Sequence, residues 1–170
     1  MHTQELKIPK ERIAILIGTK SEIKLRIQRA TKTKLTIDSK EGDILIEGED
    51  SINVFTASLI IKAISRGFNP DIALLLKNEN FGLEIINITD FSGKSKKKLE
   101  RLRGRVIGTR GKSRNTLEQI TNTNISVYGK TVSIIGLIEN IGIARESIEK
   151  LLRGSPHSNV YRFIEKQKTI

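Results

Sequence analysis

One short stretch of this sequence is dense in groups that bind phosphate: Gly108-Thr109-Arg110-Gly111-Lys112-Ser113. Two chemistries fit it. Gly-Lys-Ser closes the nucleoside-triphosphate loop G-x-x-x-x-G-K-[ST], where main-chain amides, lysine and hydroxyl hold phosphates and magnesium. That loop needs a glycine five residues before Gly111, and Val106 stands there. No aspartate ends an apolar strand where a magnesium ligand is wanted, so nucleotide hydrolysis is disfavoured. The second chemistry uses the glycines alone. A turn free of Cβ atoms lets a sugar–phosphate chain approach the protein backbone. A helix starting at that turn adds its unpaired amides and the positive end of its dipole.

Other chemistries lack their residues. Cysteine is absent, and the two histidines, His2 and His157, lie far apart. No carboxylate pair, Ser-His-Asp set or metal cluster stands out, so we expect no catalysis and no cofactor. Asn87-Ile88-Thr89 and Asn124-Ile125-Ser126 match the glycosylation pattern and are read as chance. The longest apolar runs are far too short to span a membrane.

Charge points to the partner. The chain of 170 residues carries a net charge of +11. Residues 1–80 hold 13 Lys and Arg against 11 Asp and Glu, whereas residues 81–170 hold 17 against 8. The excess concentrates between Lys94 and Arg114, around the glycine turn, where Glu100 is the single acid. So dense a positive field favours a polyanion. Tryptophan is absent and aromatics make up 4% of the chain, which argues against rows of rings that stack bases.

The elements that must hold the turn come from a repeat. Shifted by 90 residues, Ile17-Gly18-Thr19 falls on Ile107-Gly108-Thr109, Thr31 and Thr33 fall on Thr121 and Thr123, and Leu35 and Ile37 fall on Ile125 and Val127. Two copies at so long a spacing indicate a tandem of small domains. In each, a short strand ("ELKI", "LEIINI") precedes an apolar helix, the Gly-Thr turn, and a second helix. Two alternating strands and a closing helix complete the copy. The order βααββα predicts an α+β fold, each copy a three-stranded sheet with helices on one face. Pro70 opens a further apolar helix, "DIALLLKN", expected to pack between the copies and hold them together. Gly154 ends the closing helix and Pro156 prevents its resumption, after which Tyr161, Phe163 and Ile164 return toward an apolar surface.

A GxxG turn between two helices, with such strands after it, resembles a type I KH domain, whose loop clamps the backbone of a four-nucleotide single strand. In the second copy this gives Gly108, Thr109, Arg110 and Gly111 as the RNA-contacting loop. Arg105, Lys112 and Arg114 add charge, and Ile120 and Val127 offer apolar contact to bases between the second helix and its neighbouring strand. The first copy reads Gly18-Thr19-Lys20-Ser21 and lacks the last glycine. Ser21 is expected to cap the next helix with its hydroxyl, taking an amide that a phosphate would need. A weaker RNA site there, from Gly18, Thr19, Lys20 and Lys24, is expected.

"IPKERI", "RLRGRVIGTRGK", "ISVYGKTVSIIG" and "LLRGSPHSNVYRFIEK" together resemble the archaeal two-KH ribosome-assembly proteins related to the eukaryotic factor named partner of Nob one. The resemblance covers nearly the whole chain. Ser21 departs from the GxxG pattern. The resemblance implies tandem type I KH domains, at 1–66 and 81–153, with a connecting helix at 67–80 and a tail at 154–170. It further implies binding of single-stranded small-subunit rRNA near its 3′ region. As partners it implies an rRNA adenine dimethylase and a pre-rRNA endonuclease, with an archaeal, cytoplasmic setting. An alternative is an adaptor that docks an acidic protein through the basic second domain. A further choice concerns His157: a surface residue bonded locally, or an RNA contact beside the groove.

Overall fold

Each half of the repeat opens with a strand that pairs not with its chain neighbour but with the last strand of its sheet. A computed structural model describes residues 1–168 and divides into two units, Met1–Glu79 and Asn80–Ile170.

In the N-terminal unit, β1 (His2–Lys7) leads to α1 (Lys10–Ile17), a tight turn at Thr19–Ser21, and α2 (Glu22–Thr31). The hairpin β2 (Lys34–Ile37) and β3 (Asp43–Gly48) comes next, then α3 (Ser51–Ser65). The sheet order is β1-β3-β2, antiparallel throughout. Alternation sets the register: Leu35 lies opposite Ile46 and is buried, while its neighbours Lys34 and Thr36 are exposed. Asp50 caps α3 by accepting from the Ile52 amide at 2.8 Å. The segment at Pro70 forms α4 (Pro70–Ala73), which runs into a tight 3-10 turn at Leu74–Lys77. Proline stands at its start, and the Asn69 side chain accepts from the Ile72 amide at 3.0 Å. Both pieces pack on α3 of their own unit, with Ala73 and Leu76 buried.

The C-terminal unit repeats this order and extends it. Its elements are β4 (Phe81–Asn87), the single turn α5 (Thr89–Ser92), α6 (Lys96–Ile107), a turn at Thr109–Gly111, α7 (Lys112–Thr121), β5 (Thr123–Tyr128), β6 (Thr131–Leu137), α8 (Ile138–Leu152) and α9 (His157–Lys168). The antiparallel sheet runs β4-β6-β5, which leaves β5 at an edge. Helical spacing puts Leu102 and Val106 of α6, Leu117 of α7, and Ile141, Ala144, Ile148 and Leu151 of α8 on Val132 and Ile134 of the sheet. The segment after Gly154 is a twelve-residue helix rather than an irregular tail. Its Val160 and Ile164, one turn apart, are wholly buried in the same core, with Tyr161 and Phe163 packed against it.

Two repeated devices explain residues that the repeat aligned. Thr121 donates to the Leu117 carbonyl at 2.6 Å and shares a 2.8 Å bond with Thr123. Thr31 does the same with Ile27 and Thr33. The Thr-x-Thr pair therefore ties the second helix to the strand after it. An arginine from the helix before the glycine turn caps the end of the long helix in each unit. Arg12 donates to the Ile64 and Phe68 carbonyls at 2.8 and 2.9 Å. Arg105 donates to the Leu151 carbonyl at 3.0 Å and also to the Ser155 carbonyl.

Candidate nucleic-acid interface

Helix α6 stops because Gly108 adopts φ 75°, ψ 174°, a conformation nearly closed to residues with a Cβ. The Gly108 amide bonds back to the Gly104 carbonyl at 2.8 Å, and the Gly111 amide bonds to the Gly108 carbonyl at 3.2 Å. Arg110 (φ 55°) and Gly111 (φ 74°) are both left-handed, and α7 starts at once. No side chain caps that start. Thr109, Arg110 and Lys112 are exposed around it. The bend thus presents bare backbone, a helix N-terminus and two cationic side chains on one small surface, the arrangement that receives a phosphate.

A cleft of about 500 Å³ opens beside the loop, walled by Arg101, Gly104, Thr109, Lys112, His157 and Tyr161 among others. Ser113 also lines it, and its buried hydroxyl has no partner among the described residues. Such unpaired groups are uncommon in folded proteins. Another cleft of similar volume, on the N-terminal sheet, is lined by Glu5, Asp38 and Asp43, carboxylates that would repel phosphate.

The expected site residues divide by position. Gly108, Thr109, Arg110, Gly111 and Lys112 form the loop surface itself. Arg114 points to the strand, pairing with Glu118 at 3.0 Å and donating to the Ile125 carbonyl at 3.3 Å. Arg105 lines the cleft, but two of its donors are engaged in capping α8. Val127 sits half-buried on β5. Ile120 falls about 120° round α7 from Arg114, beside Ser113 and Thr116, and so not on the flank that faces β5. His157 is bonded locally. Its Nε2 lies 2.8 Å from the Arg105 carbonyl, and its ring borders the cleft. Sequence reasoning overlooked Gly104, Glu118 and Tyr161. Glu118 had a signal, because Gln28 stands at the equivalent place in the first copy.

One expectation for the first copy is overturned. Ser21 does not cap α2: it adopts φ 62°, ψ 21°, and its hydroxyl accepts no helix amide. Capping needs an extended backbone at that residue, whereas the turn imposes the left-handed one. Gly18 (φ 75°, ψ 176°) and Lys20 (φ 52°, ψ 35°) take the same path as Gly108 and Arg110. The first loop therefore keeps the shape of the second. The difference is one of charge: Glu22 opens α2 where Lys112 opens α7.

Comparison with known proteins agrees with this geometry. Residues 82–169 match the model of the second KH domain of PNO1, described as a eukaryotic-type KH domain of type I. The chain is 45% identical to a KH domain-containing protein of Methanocaldococcus jannaschii, over 96% of this chain and 73% of that one. It is 30% identical to the pre-rRNA-processing protein PNO1 of Coccidioides immitis, and spans 53% of its length. Among solved structures it is similar to Dim2p of Pyrococcus horikoshii, crystallised with a/eIF2alpha and rRNA. That likeness has a TM-score of 0.92 at 48% identity, and covers 99% of this chain and 94% of that one. On the matched KH domain and on a relative 45% identical over 96% of this chain, the chain belongs to the PNO1/Dim2p family of KH-domain proteins.

Proposed function

We propose that this chain grips single-stranded rRNA, in the 3′ region of the small-subunit RNA, as a non-catalytic factor in pre-rRNA processing. The observation that carries this reading is the uncapped start of α7 behind the Gly108–Gly111 bend, exposed and flanked by Arg110 and Lys112. A phosphodiester fits there because the amides and dipole favour an anion and no side chain blocks its approach. The rRNA in the crystal complex of the Pyrococcus relative supports the choice of polyanion. We read the N-terminal unit as a second KH fold and the weaker clamp. Its loop has the same bend, but Glu22 sets a negative charge at the mouth. Holding one strand in a fixed geometry would serve enzymes acting nearby, with an rRNA adenine dimethylase and a pre-rRNA endonuclease as the partners this role suggests. We place that work in the archaeal cytoplasm.

The test is a charge reversal on the exposed loop. Thr109→Asp combined with Arg110→Asp should abolish binding of a single-stranded RNA in fluorescence anisotropy and leave the denaturation midpoint unchanged. Undiminished binding by this variant sinks the reading. If a nuclease-treated extract still delivers an acidic protein to the wild-type chain but not to a variant of Lys96–Lys98, the adaptor role replaces it.

A further inference from the structure

Helix α7 reaches across to β5 with two side chains. Because β5 is an edge strand, alternate residues point their main-chain N–H and C=O groups away from the sheet. At Ile125 both outward groups are occupied. Glu118 Oε2 accepts the Ile125 amide at 2.8 Å, and Arg114 Nη1 donates to the Ile125 carbonyl at 3.3 Å. The same Nη1 bonds Glu118 Oε1 at 3.0 Å within α7, which closes a bracket of two helix–strand bonds joined by one along the helix. The N-terminal unit has half of this device. Gln28 accepts the Leu35 amide at 2.9 Å, but Lys24 makes no such bond. Arg114 Nε and Nη2 have no partner among the described residues, and the side chain is 35% exposed.

This bracket lies on the α7–β5 flank just beyond the loop. A base projecting from a strand held at Gly108–Gly111 therefore meets a guanidinium there and not a bare strand edge. We propose that Arg114, aligned by Glu118, is a specificity-determining residue that selects bases offering two adjacent acceptors. The proposal rests on the strand-clamping reading given above. Nε and Nη2 form a fork of two parallel donors in one plane. Guanine matches it with O6 and N7. Cytosine matches it with O2 and N3 on the Watson–Crick edge, which is open in a single strand. Adenine sets its amino donor beside N1 and N7 and offers no second acceptor adjacent to N3, and uracil sets N3–H between its two carbonyls, so neither engages both donors. Glu118 fixes the plane before RNA arrives, so little side-chain freedom is lost on contact.

Uridine heptamers with a single central substitution test this on the full chain, since the strand can slide until the odd base finds the fork. The guanosine or the cytidine heptamer, or both, should bind at least about tenfold more tightly than the adenosine heptamer and the all-uridine one. Arms carrying 7-deazaguanosine or 3-deazacytidine separate the two sources and should lose the advantage of the base that is read. Arg114→Ala should bring the ratio of Kd values close to one, whatever happens to overall affinity. Arg114→Lys, which keeps the charge without the fork, should do the same and covers the case where the alanine variant unfolds. Equal binding of all four heptamers by the wild-type chain overturns the proposal, as does a preference that survives both variants. If no heptamer binds at all, the strand clamp itself is wrong and this assignment falls with it.

Discussion

Replacing Gly108 and Gly111 one at a time separates the hinge of the turn from its contact surface. In Gly108→Ala the new Cβ would stand 2.7 Å from both the Cβ and the amide nitrogen of Ser113. That nitrogen is backbone in the first turn of α7, so it cannot swing aside. The residue would also have to hold φ 75°, ψ 174°, worth about 1–3 kcal/mol of strain for a side chain. We expect a loss of about 3 kcal/mol. Gly111 also has positive φ, but its added Cβ would meet nothing within 4 Å. Its αL backbone is the one Ser21 already adopts in the N-terminal unit. Gly111→Ser should therefore lose only about 1 kcal/mol. The assay is guanidinium unfolding monitored by tyrosine fluorescence. The chain has no tryptophan, and its two tyrosines, Tyr128 and Tyr161, both lie in the C-terminal unit, so the signal reports that unit alone. With a denaturant slope of about 3 kcal/mol/M, the midpoint should fall by about 1 M for Gly108→Ala and about 0.3 M for Gly111→Ser. Equal shifts, or a larger one for Gly111→Ser, would refute the packing argument at Gly108.

Arg105→Ala removes charge-assisted bonds to two carbonyls at the end of α8, and should destabilise the C-terminal unit by about 2–3 kcal/mol in the same unfolding assay. Ile164→Ala leaves a cavity under α9 and should lose about 3–4 kcal/mol. A value under about 1 kcal/mol would show that α9 is not part of the core. Binding of single-stranded RNA, titrated over a range of salt, should give a log–log slope of about −2 to −3, as three or four phosphate contacts require. A slope near zero would exclude a phosphate-led grip.

The repeat was the most legible feature, because both copies must bury the same sheet with the same helices. The aligned threonines and the alternating strands carried that signal into the sequence. The bend at Gly108–Gly111 was legible too, since glycine spacing reports backbone directly. Other features were not. Ser21 looks like a cap by residue type, yet its role comes from a turn geometry fixed three residues earlier at Gly18. Arg105 and Arg114 look alike in a basic run. Only the fold shows that one holds the end of α8 and the other closes on β5. The helix at His157–Lys168 was hidden by Gly154 and Pro156, which mark the end of α8 without revealing a second helix after it. The Pro156 carbonyl accepts from the Asn159 and Val160 amides at 3.1 and 3.2 Å, so the same proline opens the new helix.

The position of Val160 and Ile164 bears on how the protein is made. Synthesis runs from the N-terminus, and domains generally fold in that order as they emerge. The C-terminal unit cannot seal its interior until those two side chains have cleared the exit tunnel. Its glycine turn emerges some fifty residues before them, ahead of the side chains that complete the core beneath its helices.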